Sequence, residues 1–147
     1  VRPRYERESD RDAEQEIANI FATHCNGEAR KLPGAYAEID FALIRSGKVQ
    51  CFFEVKDRTG WRPEYETVFL SVAKARALMA YERMGIYVVY VVRLAGMVHY
   101  QKLEPKVLAK WDIEYRGRTD RNDDQDVEPV FLVPVRWMRL CDRPVAA

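Results

Sequence analysis

An α/β fold, with a central mixed sheet flanked by helices, is predicted by three observations. Residues 38–56, EIDFALIRSGKVQCFFEVK, form two apolar runs rich in β-branched and aromatic residues around a Ser-Gly turn, which is a hairpin pattern. Helical stripes precede and follow this hairpin, over residues 11–24 and 64–83. A nearly continuous apolar run, Ile86 to Val92, comes next and reads as a strand buried on both faces, in the middle of the sheet.

The elements follow in order. Residues 1–10 lack an apolar period and are expected to be an arm, with Ser9 or Asp10 as N-cap of the first helix. Ala13, Ile17, Ile20 and Phe21 mark that helix's buried stripe, and Asn26-Gly27 ends it. Residues 28–36 read as a connector punctuated by Pro33-Gly34. Beyond the hairpin, residues 57–64 form an exposed loop with Gly60, Trp61 and Pro63. The second helix is expected over residues 64–83, with Val68, Val72, Ala75 and Met79 as its stripe and Gly85 at its end. Met97 to Gln101 returns as an antiparallel partner of the apolar strand, where His99 is an ordinary strand residue. Residues 103–111 suggest a short helix opened by Pro105. An acidic loop is expected over residues 116–129, and a last strand over residues 130–141 with Pro134 at an edge or bulge. Asp120, Asn122, Asp124 and Asp126 are not an EF-hand, because Gln125 and Phe131 stand where that loop needs Gly and an acid.

The whole chain sets bounds. Its 147 residues suit a single domain. A composition of 48% hydrophobic and 32% charged residues argues for a soluble globular protein rather than a disordered one. No apolar run is long enough to span a membrane and no signal peptide is visible, so a cytoplasmic setting is expected, compatible with a nucleoid-associated or viral origin. Cys25, Cys51 and Cys141 are too few and too irregularly spaced for a disulfide framework or a zinc site. The net charge of +1 does not announce a nucleic-acid binder, but arginines crowd both ends: Arg2, Arg4, Arg7 and Arg11, then Arg136, Arg139 and Arg143.

Within the hairpin the charged residues carry the information. Asp40, Glu54 and Lys56 sit in strands whose other positions look like core, and a charge there must be paired or bind a metal. Glu54 and Lys56, two apart, share one face of their strand. Asp40 joins them only if the turn has the right parity. A two-residue Ser46-Gly47 loop in regular register would point Asp40 away from Glu54, so one cluster requires an odd-numbered loop or a bulge.

Asp40, thirteen intervening residues and then Glu54-Val55-Lys56 resembles the D…E-x-K signature of the PD-(D/E)XK, or restriction-endonuclease-like, nuclease superfamily. Ile39 stands where that family usually has Pro. An acidic helix bearing Glu16 precedes the hairpin, and a helix and an apolar strand follow, so the likeness covers residues 11–100. The resemblance implies a restriction-endonuclease-like α-β-β-β-α-β core and metal-dependent hydrolysis of DNA phosphodiester bonds, leaving 5′-phosphates. It implies Mg²⁺ as cofactor, with Mn²⁺ as a substitute, held by Asp40, Glu54 and the main-chain carbonyl of Val55, hard oxygen donors of the kind these ions prefer. Lys56 would orient water or neutralise developing charge, and Glu16 would approach the metal, with Glu14 as its competitor.

Lys74, Trp61, Arg62 and Arg58 are the expected DNA contacts. Trp61 and Arg62 can stack on a base and hold a phosphate, although a large aromatic at that place more often covers the end of a sheet. The expected substrate is duplex, branched or single-stranded DNA, cut without sequence specificity or by structure, as by a Holliday-junction resolvase, and the chain is expected to work as a homodimer. The alternative is a catalytically inactive nuclease-fold module that binds DNA or a protein partner.

Overall fold

A computed structural model describes residues 8–33, 39–117 and 127–141. The first helix, α1, runs Glu8–His24 and carries Glu8 and Asp10 in its first turn, where negative charge suits the helix dipole. Strands β1 (Glu28–Lys31), β2 (Phe41–Arg45) and β3 (Lys48–Arg58) follow, then a 3₁₀ turn, Pro63–Tyr65, and β4 (Thr67–Ser71). Helix α2 is Val72–Glu82, β5 is Tyr87–Leu94, β6 is Met97–Lys102, and α3 is a single turn, Pro105–Leu108. The chain closes with β7 (Ile113–Arg116), β8 (Glu128–Pro134), a 3₁₀ turn over Val135–Trp137, and β9 (Arg139–Leu140).

Six strands form one mixed sheet in the order β1-β2-β3-β5-β6-β9, in which β3 and β5 are parallel and the other pairs antiparallel. A second antiparallel sheet has the order β4-β8-β7. The period of 2 along β3 divides its side chains between two cores. Phe53 and Val55 face α1, packing with Ile17, Phe21, Phe41 and Val91. The even-numbered side face carries Phe52, and its neighbours Tyr90 and Val92 on β5 meet Ala75 and Leu78 of α2 and Leu70 and Val133 of the second sheet. The α/β class with a central mixed sheet is therefore as expected. One flank differs, because helix and sheet together cover the α2 side.

Several element boundaries need correction. The helix expected over residues 64–83 starts only at Val72, because Thr67-Val-Phe-Leu-Ser71 pairs with β8 as a strand and Ser71 caps the helix, accepting the Lys74 N–H at 3.2 Å. Val68 thus packs from a strand rather than from the helical stripe. The connector at residues 28–36 contains β1, paired with β2. The acidic loop is bounded by β7, which reaches Arg116, and by β8, which starts at Glu128; Asp120 to Asp126 lie outside the described residues. The last strand is broken after Pro134 by the 3₁₀ turn. His99 is the strand residue expected, its Nδ1 lying 3.0 Å from the Met97 carbonyl.

Gly27 makes the turn between α1 and β1 against the hairpin. A Cβ there would lie 2.7 Å from the Ile44 carbonyl oxygen and 2.9 Å from Leu43 Cδ1, whereas one at Gly60 meets nothing within 4 Å. Gly27→Ala is expected to lower unfolding free energy by about 1–3 kcal/mol, the usual cost of overpacking, and Gly60→Ala to change it by less than about 0.5 kcal/mol. Urea denaturation of the two variants beside the wild type checks this.

Candidate functional site

The β2-β3 hairpin closes with two residues, Arg45 pairing with Lys48 around Ser46 (φ 54) and Gly47 (φ 74). That is the primed turn geometry favoured by the strand twist. It would by itself turn Asp40 away from Glu54. Between Ile44↔Val49 and Leu43↔Cys51 the register shifts, Gln50 being the extra residue of a bulge. From there the pairs run Ala42↔Phe52 and Phe41↔Phe53, so the next pair along is Asp40 with Glu54. The bulge, not an odd-numbered loop, supplies the required parity.

Glu54 is 1% exposed and is the one fully buried charged side chain among the described residues. Asp40 lies just beyond the start of β2, and its Oδ2 accepts a hydrogen bond from the Val55 N–H at 3.0 Å. The N–H and C=O of one strand residue point toward the same neighbouring strand. The Val55 carbonyl therefore also faces the Asp40 side, past the last backbone pair of β2.

Two lysines reach Glu54. Lys56 Nζ is 3.6 Å from Oε1, and Lys74 Nζ is 3.3 Å from Oε2. The Ser71 cap starts α2 so that Lys74, in its first turn, stands over β3. Oε2 nevertheless has no hydrogen-bond donor in bonding geometry. Burial, first, and the adjacent Asp40 carboxylate, second, push the Glu54 carboxyl up to about 7, while Lys56 and Lys74 pull it down. The two cations thus only partly offset the cost of burying this acid.

The other expected residues are placed differently. Glu16 is exposed on α1, and its Oε1 lies 3.3 Å from Arg93, which also makes a two-point contact with Asp57 at 3.0 and 3.2 Å. Arg93 has the parity of Val89 and Val91, the α1 side, so Glu16 belongs to the opposite face of the sheet from Glu54. Among the described residues no group of three or more His, Cys, Asp or Glu is arranged to hold a metal ion. Glu16 therefore does not complete the Asp40–Glu54 pair as expected. Glu14 instead lies 3.8 Å from Lys31.

Arg58 turns inward rather than toward solvent: it shares the face of Glu54 and Lys56, and donates to the Phe69 carbonyl at 3.4 Å. The same carbonyl accepts from Tyr90 OH at 2.8 Å. Trp61 donates its indole N–H to the Thr67 carbonyl at 2.8 Å and packs on the core, the covering role that large aromatics favour. Arg62 is exposed. Sequence reasoning missed the Asp57–Arg93–Glu16 ion cluster. Its signal was an acid directly after Lys56 and a base ending the apolar strand.

The family described as "Phage putative PDDEXK endonuclease" matches residues 1–140. No curated protein matches the chain. No helix among the described residues is long and apolar enough to cross a membrane. The match spans nearly the whole sequence and includes the hairpin with Asp40, Glu54 and Lys56 and the α/β core that carries it. The chain belongs to this phage endonuclease family, within the PD-(D/E)XK nuclease superfamily.

Proposed function

We propose that this protein is a metal-dependent DNA nuclease that hydrolyses phosphodiester bonds to leave 5′-phosphates, with Asp40, Glu54 and Lys56 as its catalytic centre. The observation that carries this reading is the buried Glu54, whose Oε2 lacks a hydrogen-bond donor while Asp40 stands opposite it across the hairpin. Nucleases of this superfamily generally use divalent metal ions, and the donors here fit Mg²⁺, or Mn²⁺ in its place: two carboxylates and the Val55 carbonyl are hard oxygen ligands. Mg²⁺ keeps several waters, so two carboxylates are enough protein charge for it. Bound there, such an ion would supply polarisation of a phosphoryl oxygen and a lowered pKa for the attacking water.

The chain's own residues do the rest. Asp40 is held by the Val55 N–H, which fixes its carboxylate relative to Glu54. Lys74 steadies Glu54 from α2 and limits repulsion between the two acids. Lys56 is 44% exposed at its side chain, so its ammonium can reach a phosphate while remaining beside Oε1. There it acts as a point charge toward the negative charge that grows in the transition state, and as a donor that orients water. Glu16 has no part in this centre.

DNA is the substrate in this reading, engaged without base-specific contacts or by structure. Metal-dependent cutting of a panel of supercoiled, linear, single-stranded and four-way-junction DNA is expected from the wild type. The rate should fall at least about a hundredfold in Asp40→Asn, Glu54→Ala and Lys56→Ala, the loss typical of removing a charge-stabilising group. Glu16→Gln should cut within about twofold of the wild type, since the centre does not use it. A wild type that binds the DNAs yet cuts none with Mg²⁺ or Mn²⁺ would favour the binding-module alternative.

The raised Glu54 carboxyl also gives a pH dependence. Without metal, the folded protein binds a proton at Glu54 that the unfolded chain has released between its ordinary value of 4.5 and about 7. The stabilising contribution is full below the lower value and is lost as pH rises toward the upper one. The gap corresponds to roughly 3 kcal/mol as an upper figure. In EDTA, Glu54→Gln should therefore raise the melting temperature relative to the wild type more at pH 8 than at pH 5. Mg²⁺ should raise the wild-type melting temperature and leave that of Glu54→Gln nearly unchanged, because binding requires the ionised carboxylate.

A further inference from the structure

A cleft of about 740 Å³ opens beyond the end of β3, between residues 57–61 and the second sheet. Arg58 lines it and lies on the same strand face as Glu54 and Lys56, roughly 13 Å from Glu54 at the usual rise per residue. Three aromatic rings face the cleft. Trp61 is fixed as a wall by its bond to the Thr67 carbonyl, Phe69 projects from β4, and Tyr65 is 56% exposed at the mouth. Arg116 reaches across from β7 with its guanidinium 5.2 Å from the Phe69 ring centre.

The polar groups in the cleft are unequally satisfied. Asp57 is neutralised by its two-point contact with Arg93, and Glu114 is paired with Arg116 at 2.8 Å. Arg58 spends one nitrogen on the Phe69 carbonyl, yet its buried Nε has no acceptor. Besides Glu54 Oε2, this is the other buried side-chain polar atom left without a partner among the described residues. A cavity of this size, with aromatic walls and the Arg116 guanidinium over one ring, suits a planar heterocycle attached to an acceptor-rich group. A nucleotide unit is such a ligand. A paired base cannot present its face to these rings without leaving the stack, so the ligand is an unpaired nucleotide.

We propose that the cleft bounded by Arg58, Trp61, Tyr65, Phe69 and Arg116 is a subsite for an unpaired nucleotide of the substrate strand, displaced along β3 from the Asp40–Glu54 centre. The base stacks beside Tyr65 and the Arg116 guanidinium, both exposed at the cleft. This inference rests on the nuclease reading and narrows its substrate class to single-stranded, flapped or branched DNA.

Fluorescence anisotropy tests it with labelled oligo-dT and a duplex of the same length, at low salt in EDTA so that no strand is cut. Tyr65→Ala and Arg116→Ala are the variants, both at exposed side chains, with folding confirmed by circular dichroism. Each should weaken oligo-dT binding about tenfold, as expected for losing one stacking partner, and leave duplex binding within about twofold. Thymidine monophosphate should compete far more weakly than unlabelled oligo-dT, because the subsite belongs to a strand. Unchanged oligo-dT affinity in both variants, or competition by the mononucleotide equal to the oligonucleotide, would overturn the subsite while leaving the nuclease reading to the cleavage panel. A wild type that binds neither single strand nor duplex would overturn the subsite, and the nuclease reading is decided separately by the cleavage panel with metal.

Discussion

The burial of Glu54 is the constraint around which the molecule is arranged. A carboxylate inside a sheet covered on both faces loses nearly all its hydration, and two ammonium groups at 3.3 and 3.6 Å offset only part of that loss. Its raised pKa is the sign of the remaining deficit. Purely structural buried acids usually have their oxygens satisfied. Glu54 Oε2 departs from this: Lys74 Nζ is its ion-pair partner at 3.3 Å, but no donor meets it in bonding geometry, and Asp40 adds a second carboxylate beside it.

The fold meets this demand with backbone devices rather than with side-chain excess. The bulge at Gln50 rotates Asp40 onto the Glu54 face while the tight primed turn keeps the hairpin short. Parallel pairing with β5 buries β3 in the centre of the sheet, so Glu54 cannot escape to solvent by fraying. Ser71 ends β4 and starts α2 at one residue, and that abrupt change of direction sets Lys74 above the strand. Each device is local, and together they converge on one carboxylate.

The two faces of β3 perform different work. On the α1 side, Asp57, Arg93 and Glu16 form an ion cluster at the end of the apolar core, a structural clasp between helix and sheet. On the α2 side, Glu54, Lys56 and Arg58 make a polar row leading from the carboxylate pair to the aromatic cleft. Arg58 links the row to the second sheet through the Phe69 carbonyl, which Tyr90 also holds. The strand that carries Glu54 and the cleft are therefore mechanically continuous.

Local pattern determined much of this in the sequence itself. Alternation and turn chemistry located the hairpin, a continuous apolar run located the parallel central strand, and Glu54 with Lys56 had to share a face because strand periodicity is 2. Three facts were decided only by tertiary structure. Residues 67–71 became a strand because β8, some sixty residues away, offers them a hydrogen-bonding partner, and their apolar spacing also fits a helix. Glu16 was drawn to the opposite face because Arg93 lies there, and helical phase alone cannot say which side of a sheet a flanking acid will meet. Asp40 reached Glu54 through a bulge, whose extra residue leaves no mark in a hydrophobic pattern because it is defined by what stands across from it.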